Sequence, residues 1–292
     1  MTEVHGVIAA AITPRTPQGD INLGAAFELV DYLCKAGVHG IALFTPTGES
    51  GAVTPDERSR LVYLAVKRSR VPLLAGVGAG ALDISVGLAR GARDAGVGGV
   101  LLPPPGTMPH DPDDLREFYR QFASQTGPGA AIFLSGDLEL DAAVELLQTG
   151  HFAGIEHASD AFDCWRNAAA AHHFPLFCGN DTLLSRSLNS GARGVISPVA
   201  CAVPEVVVAL HRSIAGENAA ETARLETLLG EFLAWTAQLP RIAVLKAAAE
   251  IRGIKAGPPP VPLAPARRRK LDEFREWFRA WLPAIKKLSA NA

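Results

Sequence analysis

Short apolar runs and longer amphipathic stretches alternate along this chain through eight cycles. The runs are Gly6–Thr13, Gly40–Thr45, Pro72–Val77, Gly99–Pro103, Ala130–Ser135, Ala153–Ala158, Leu176–Cys178 and Gly194–Pro198. Each is rich in Val, Ile, Leu or Ala and is bounded by Gly or Pro. Near-continuous apolar runs of this length predict parallel strands covered on both faces. Between them, Asn22–Ala36 sets Phe27, Leu29, Val30 and Leu33 near one helix face. Thr54-Pro55-Asp56-Glu57 reads as an N-cap, a first-turn proline and a capping-box glutamate. Asp111-Pro112 opens the fourth helix in a similar way, and Gly37, Gly96, Gly150 and Gly191 follow helix ends.

Strand–helix alternation with short connections implies a parallel sheet with right-handed crossovers. Eight units favour closure, so the expected fold class is α/β, a (β/α)₈ TIM barrel with a C-terminal helical extension. The rival, an open doubly wound sheet, usually has fewer units and a Gly-rich phosphate loop, which does not occur here. The barrel is expected over residues 1–217. Residues 218–292 then hold helices at Ala219–Gln238, Arg241–Ile254 and Arg267–Leu288, packed on the barrel as one structural unit. Gly257–Pro265 reads as a stiff Pro-rich connector and Arg267–Lys270 as a solvated helix face.

Composition narrows the function classes. The 292 residues are 48% hydrophobic and 20% charged, with a net charge of −2, which suits a globular protein and gives no field for nucleic acid. Cys34, Cys164, Cys178 and Cys201 are widely spaced and read as free thiols in a reducing compartment. The N-terminus lacks a charged-then-apolar signal pattern, and no apolar stretch approaches the roughly 20 residues of a membrane span. A cytoplasmic protein with no membrane partner is expected.

Barrel chemistry sits at the C-terminal strand ends. Those ends carry Thr13-Pro14, Thr45-Pro46-Thr47-Gly48-Glu49-Ser50, Gly76-Val77-Gly78, Pro103-Pro104-Pro105-Gly106, Phe133-Leu134-Ser135-Gly136-Asp137, Glu156-His157-Ala158-Ser159-Asp160, Cys178-Gly179-Asn180-Asp181 and Ser197-Pro198-Val199-Ala200. In order and spacing, this set resembles the dihydrodipicolinate synthase and N-acetylneuraminate lyase family from about Gly6 to Leu288. Ile12-Thr13-Pro14, the block ending at Ser50, Ala75-Gly76-Val77-Gly78, Gly154-Ile155, Gly179-Asn180-Asp181 and Gly194-Val195-Ile196-Ser197 carry the likeness.

The resemblance implies a homotetrameric or dimeric barrel that adds or releases pyruvate or a similar 2-oxo acid, with no cofactor. It implies a strand-six lysine as imine-forming nucleophile, a strand-five tyrosine as proton relay, and a Gly-Thr-Thr-Gly-Glu loop for the substrate carboxylate. Here the lysine falls on Glu156, and the tyrosine falls on Phe133 or Leu134. The first loop threonine falls on Pro46 and the second on Thr47, followed by Gly48. A tyrosine expected across a subunit contact falls within Pro103–Gly106, and an arginine after strand five has no match near Asp137. Lysine, tyrosine and threonine are therefore replaced together, which predicts loss of the standard imine chemistry. Lys35, Lys67 and Lys246 read as helix residues, Lys246 with a structural role.

Glu156 is the candidate catalytic residue, since a carboxylate against an apolar wall is a possible general acid or base. Strand alternation sends His157 to the opposite face, as a packing residue. Pro46, Thr47, Gly48, Phe133, Leu134, Asp181 and Ser197 are the expected substrate-binding positions. Glu49, Glu156 and Asp181 can face one mouth, but no histidine joins them, and no metal is expected. Ser135 and Ser197 lack a base and orienter for a hydrolase triad. Pro46 and Pro103–Pro105 predict an apolar pocket. Three readings stay open: a binder of a small carboxylate or 2-oxo acid, a non-covalent lyase using Glu156, and a non-catalytic assembly partner.

Overall fold

The computed structural model describes residues 3–106, 111–136 and 138–290. Strands β1 (Gly6–Ala10), β2 (Gly40–Leu43), β3 (Leu73–Gly76), β4 (Gly99–Leu102), β5 (Ala131–Ser135), β6 (Gly154–His157), β7 (Leu176–Cys178) and β8 (Gly194–Ser197) pair in chain order and close on themselves. All pairings are parallel, and β1 meets β8 from Gly6↔Gly194 to Ala9↔Ser197. The helices between and after them are α1 (Leu23–Lys35), α2 (Pro55–Arg68), α3 (Leu82–Ala95), α4 (Pro112–Thr126), α5 (Leu140–Gln148), α6 (Phe162–His172), α7 (Leu184–Asn189) and α8 (Pro204–Ala215). This is the (β/α)₈ barrel that the alternating pattern predicts. Several strands stop short of the apolar runs because residues such as Ala11–Thr13 and Phe44–Thr45 leave the ladder to begin the mouth loops.

Strand alternation divides the core in two. Ile8, Leu74, Leu101, Phe133, Phe177 and Ile196 fill the barrel axis, where the Phe133 and Phe177 rings meet edge to face at 5.5 Å. Val7, Ile41, Leu134, Ile155 and Val195 point outward into the layer beneath the helices. The local signals in the sequence act as their chemistry requires. Thr54 Oγ accepts from the Glu57 amide at 3.3 Å, and the Glu57 carboxylate accepts from the Thr54 amide at 2.9 Å, closing a capping box at α2. Asp111 caps α4 by accepting from the Asp113 amide at 2.9 Å.

Three further helices, α9 (Ala219–Gln238), α10 (Arg241–Ile251) and α11 (Pro265–Ala290), follow the barrel. Phe232 of α9 and Phe274 and Phe278 of α11 are fully buried against one another. Arg252, just past α10, binds Glu205 of α8 through two hydrogen bonds of 2.9 and 3.0 Å. Both side chains are about 5% exposed, and the Tyr32 hydroxyl of α1 donates to the same carboxylate at 3.2 Å. One bidentate ion pair thus joins α1, α8 and the end of α10.

Removing one partner of such a pair strands a buried charge, which costs on the order of 3–5 kcal/mol. Glu205→Ala is expected to lower stability by that amount. Urea unfolding of the variant and wild type, followed by circular dichroism, checks it.

A candidate ligand site at the barrel mouth

The C-terminal strand ends and their loops enclose a cavity of about 290 Å³. Its wall is built from strand ends (Ala10, Gly76, Leu101, Ser135, Glu156, Ile196) and from the residues that follow them (Phe44, Thr45, Pro46, Thr47, Ser50, Gly78, Pro103, Gly136, Ala158, Gly179, Pro198), with Arg241 added from α10. Glu156 and Arg241 are the two charged groups among these residues; the rest are apolar or neutral. A larger depression, about 920 Å³, lies at the opposite end beside Ala131, Ala153, Pro175 and Arg193, where strands begin. It holds none of the mouth residues.

The loop after β2 is held in a strained shape. Phe44 and Glu49 both adopt left-handed backbone conformations, with φ of 57° and 58°. Such conformations are costly for bulky residues and persist only where surroundings enforce them. The Phe44 carbonyl presses on β3, where a Cβ on Gly76 would lie 2.1 Å from that oxygen. Only glycine fits there. Pro46–Gly48 then form one 3₁₀ turn with proline at its start. The Thr13 hydroxyl donates to the Gly48 carbonyl at 2.6 Å and ties this turn to the end of β1. Pro46 and Thr47 line the cavity, whereas Gly48 supports the turn behind it. The Thr45 hydroxyl is buried with no hydrogen-bond partner among the described residues.

Glu49 turns away from the cavity. Its side chain is fully buried, with Lys246 Nζ 2.7 Å from one oxygen and Arg15 Nε 3.4 Å from the other. These are contacts of charge and distance; neither Glu49 oxygen receives a well-aligned hydrogen bond. Lys246 also donates to the Pro258 carbonyl at 2.9 Å, and burial pushes its ammonium below the ordinary lysine range despite Glu49. Lys35, Lys67 and Lys246 are all absent from the cavity lining.

On β6 the alternation separates Glu156 from His157. Glu156 is half-buried and faces the mouth, level with Ser135 on β5 and Phe177 on β7. Its carboxylate occupies the space over Gly179, where a Cβ would lie 1.7 Å from Oε1. His157 points outward and stacks on Trp165 of α6, with ring centroids 4.3 Å apart.

The other expected positions divide. Phe133 lies on the barrel axis below the mouth, and Leu134 points toward the helices, so neither lines the cavity; Ser135 does. Asp181 and Ser197 are buried beside the cavity and bind each other. Asp181 also accepts from the Val199 amide at 3.1 Å, and Ser197 Oγ accepts from the Ala200 amide at 3.0 Å. Together they pin the turn after β8. Burial raises the Asp181 carboxyl to about 6, against the opposing effects of Ser197, the Val199 amide and Arg241. Glu49, Glu156 and Asp181 therefore point to three different surroundings rather than converging. Pro103 and Gly136 line the cavity; Asp137 lies outside the described residues.

Comparison with known proteins places this geometry. The sequence profile of the dihydrodipicolinate synthetase family matches residues 3–280. The chain belongs to this family. An uncharacterised DapA-like lyase of Halobacterium salinarum is 30% identical over 89% of this chain and 88% of its own. The 4-hydroxy-tetrahydrodipicolinate synthase of Methanosarcina barkeri is 28% identical over 94% and 97%. A prophage protein of the dihydrodipicolinic acid synthase family from E. coli K12, solved in complex with pyruvate, superposes with a TM-score of 0.86. It is 24% identical and the match covers 95% of this chain and 98% of that one, which shows the shared fold. No helix of the described residues is long and apolar enough to cross a membrane.

Several lining residues of this family member escape sequence reasoning. Thr45, Ser50, Ser135, Ala158 and Gly179 flank positions the strand ends mark, so the signal is present but off by one or two residues. Arg241 has no such signal, because nothing in Pro240-Arg241 tells where the start of α10 lies relative to the mouth.

Asp181 binds its proton more tightly in the folded than in the unfolded chain. Between about pH 4 and 6 the native state therefore holds more protons, and stability falls as pH rises through that window. Asp181→Asn removes this loss. The wild type is expected to lose about 2 kcal/mol more than the variant between pH 4 and pH 7, the part of the shift that falls in that window at 1.36 kcal/mol per unit of pKa shift. Paired urea titrations at both pH values measure the difference.

Proposed function

We propose that this family member keeps the barrel and mouth cavity of its relatives but not their imine-forming reaction, and that it binds a small carboxylate there. Glu156 is the residue through which this reading stands or falls. In the family resemblance its position is that of the nucleophilic lysine, and on β6 its carboxylate faces the cavity. A carboxylate has no amine to condense with a carbonyl. Lys246, the buried lysine nearest in kind, is committed to Glu49 and Pro258.

Ligand binding is supported by the cavity's chemistry. Thr45, Thr47, Ser50 and Ser135 give it hydroxyls, Thr45 with a buried oxygen that lacks a partner among the described residues. An unmet buried polar atom is costly and marks a place where a ligand atom fits. Arg241 adds a permanent positive charge at the rim, suited to a carboxylate. With about 290 Å³ available, the ligand is small. 2-Oxo acids are the carboxylates the resemblance implies. The reading includes a cytoplasmic location and self-association as a dimer or tetramer.

Borohydride reduction in the presence of pyruvate tests the loss of the imine. Intact-mass spectrometry is expected to return the unmodified chain mass. A reduced pyruvyl adduct on any lysine would overturn the proposal.

A further inference from the structure

We infer that the mouth cavity selects a zwitterionic amino acid, with Glu156 receiving the ammonium group and Arg241 the carboxylate. This rests on the reading that the cavity binds a small carboxylate, and it names which kind. Among the described residues, two charges of opposite sign share an otherwise neutral wall: Glu156 comes from β6 and Arg241 from the first residue of α10. A 2-oxo acid presents one negative charge and a neutral carbonyl. In this cavity its carboxylate meets an attractive guanidinium but also a repulsive carboxylate.

The corresponding 2-amino acid has nearly the same shape and adds an ammonium. That group satisfies Glu156 while the ligand carboxylate keeps Arg241. A carboxylate accepts several hydrogen bonds, so a ligand ammonium adds to the contacts Glu156 already makes. Gly179 leaves room for the carboxylate where it stands, since a Cβ there would lie 1.7 Å from Oε1. The logic of the site is thereby reversed: where the family pattern puts the amine on the protein, this chain puts the anion there, and the ligand must bring the amine.

The test compares matched pairs by isothermal titration and thermal shift: L-alanine with pyruvate, L-aspartate with oxaloacetate, and L-phenylalanine with phenylpyruvate. In at least one pair the amino acid is expected to bind about tenfold or more tightly than its oxo acid, the ratio that 1.4 kcal/mol represents. Glu156→Gln is expected to erase that preference by weakening the amino acid alone, whereas Arg241→Gln weakens both partners. If no amino acid in the panel binds more tightly than its oxo acid while at least one acid binds, this inference is overturned and the carboxylate reading is left standing. Failure of every acid in the panel to bind overturns both. The wild-type comparison decides the matter without the variants, should either fail to fold.

Discussion

A buried contact between Lys246 and Glu49 sets the geometry of the mouth. It joins the loop after β2 to the middle of α10, two parts of the chain that share no sheet or helix. Both charges are out of water, so the contact is tolerable only with close approach and additional partners, here Arg15 and the Pro258 carbonyl. Three consequences follow from it. Glu49 is held in a left-handed conformation, which fixes the preceding Pro46–Gly48 turn under the cavity. Helix α10 is anchored so that its first residue, Arg241, reaches the rim. The lysine itself is spent on structure and lies outside the cavity wall.

The second constraint is the two-residue period of a strand. On β6 it sends Glu156 inward and His157 outward, so adjacent polar residues serve different layers. The same rule puts Phe133 on the barrel axis and Leu134 beneath the helices, leaving Ser135 to face the cavity. The barrel is shared with proteins of quite different sequence. Fold and chemistry are separable in this architecture because the strands make the core and the loop ends make the site.

The helices after the barrel take part in both. Glu205, Arg252 and Tyr32 lock α8, α10 and α1 together, and the aromatic contacts of Phe232, Phe274 and Phe278 seat α9 against α11. With α10 held at its middle and just past its end, the position of Arg241 follows from tertiary contacts made elsewhere on its helix.

The sequence by itself determined the architecture and the end of the barrel at which the mouth cavity lies. Apolar runs bounded by glycine and proline marked each strand of the closed barrel, and the Thr54–Glu57 capping box formed as its chemistry requires. These are local signals, carried by residues close together in the chain. The strand-end rule likewise brought Pro46, Thr47 and Glu156 to one cavity. Only the tertiary structure decided the rest. It withdrew Asp181 and Ser197 into a turn clamp, put Gly48 behind the wall and supplied Arg241 from a helix far along the chain. Those outcomes depend on strand register and on packing between distant segments, which a linear pattern of residue types does not encode.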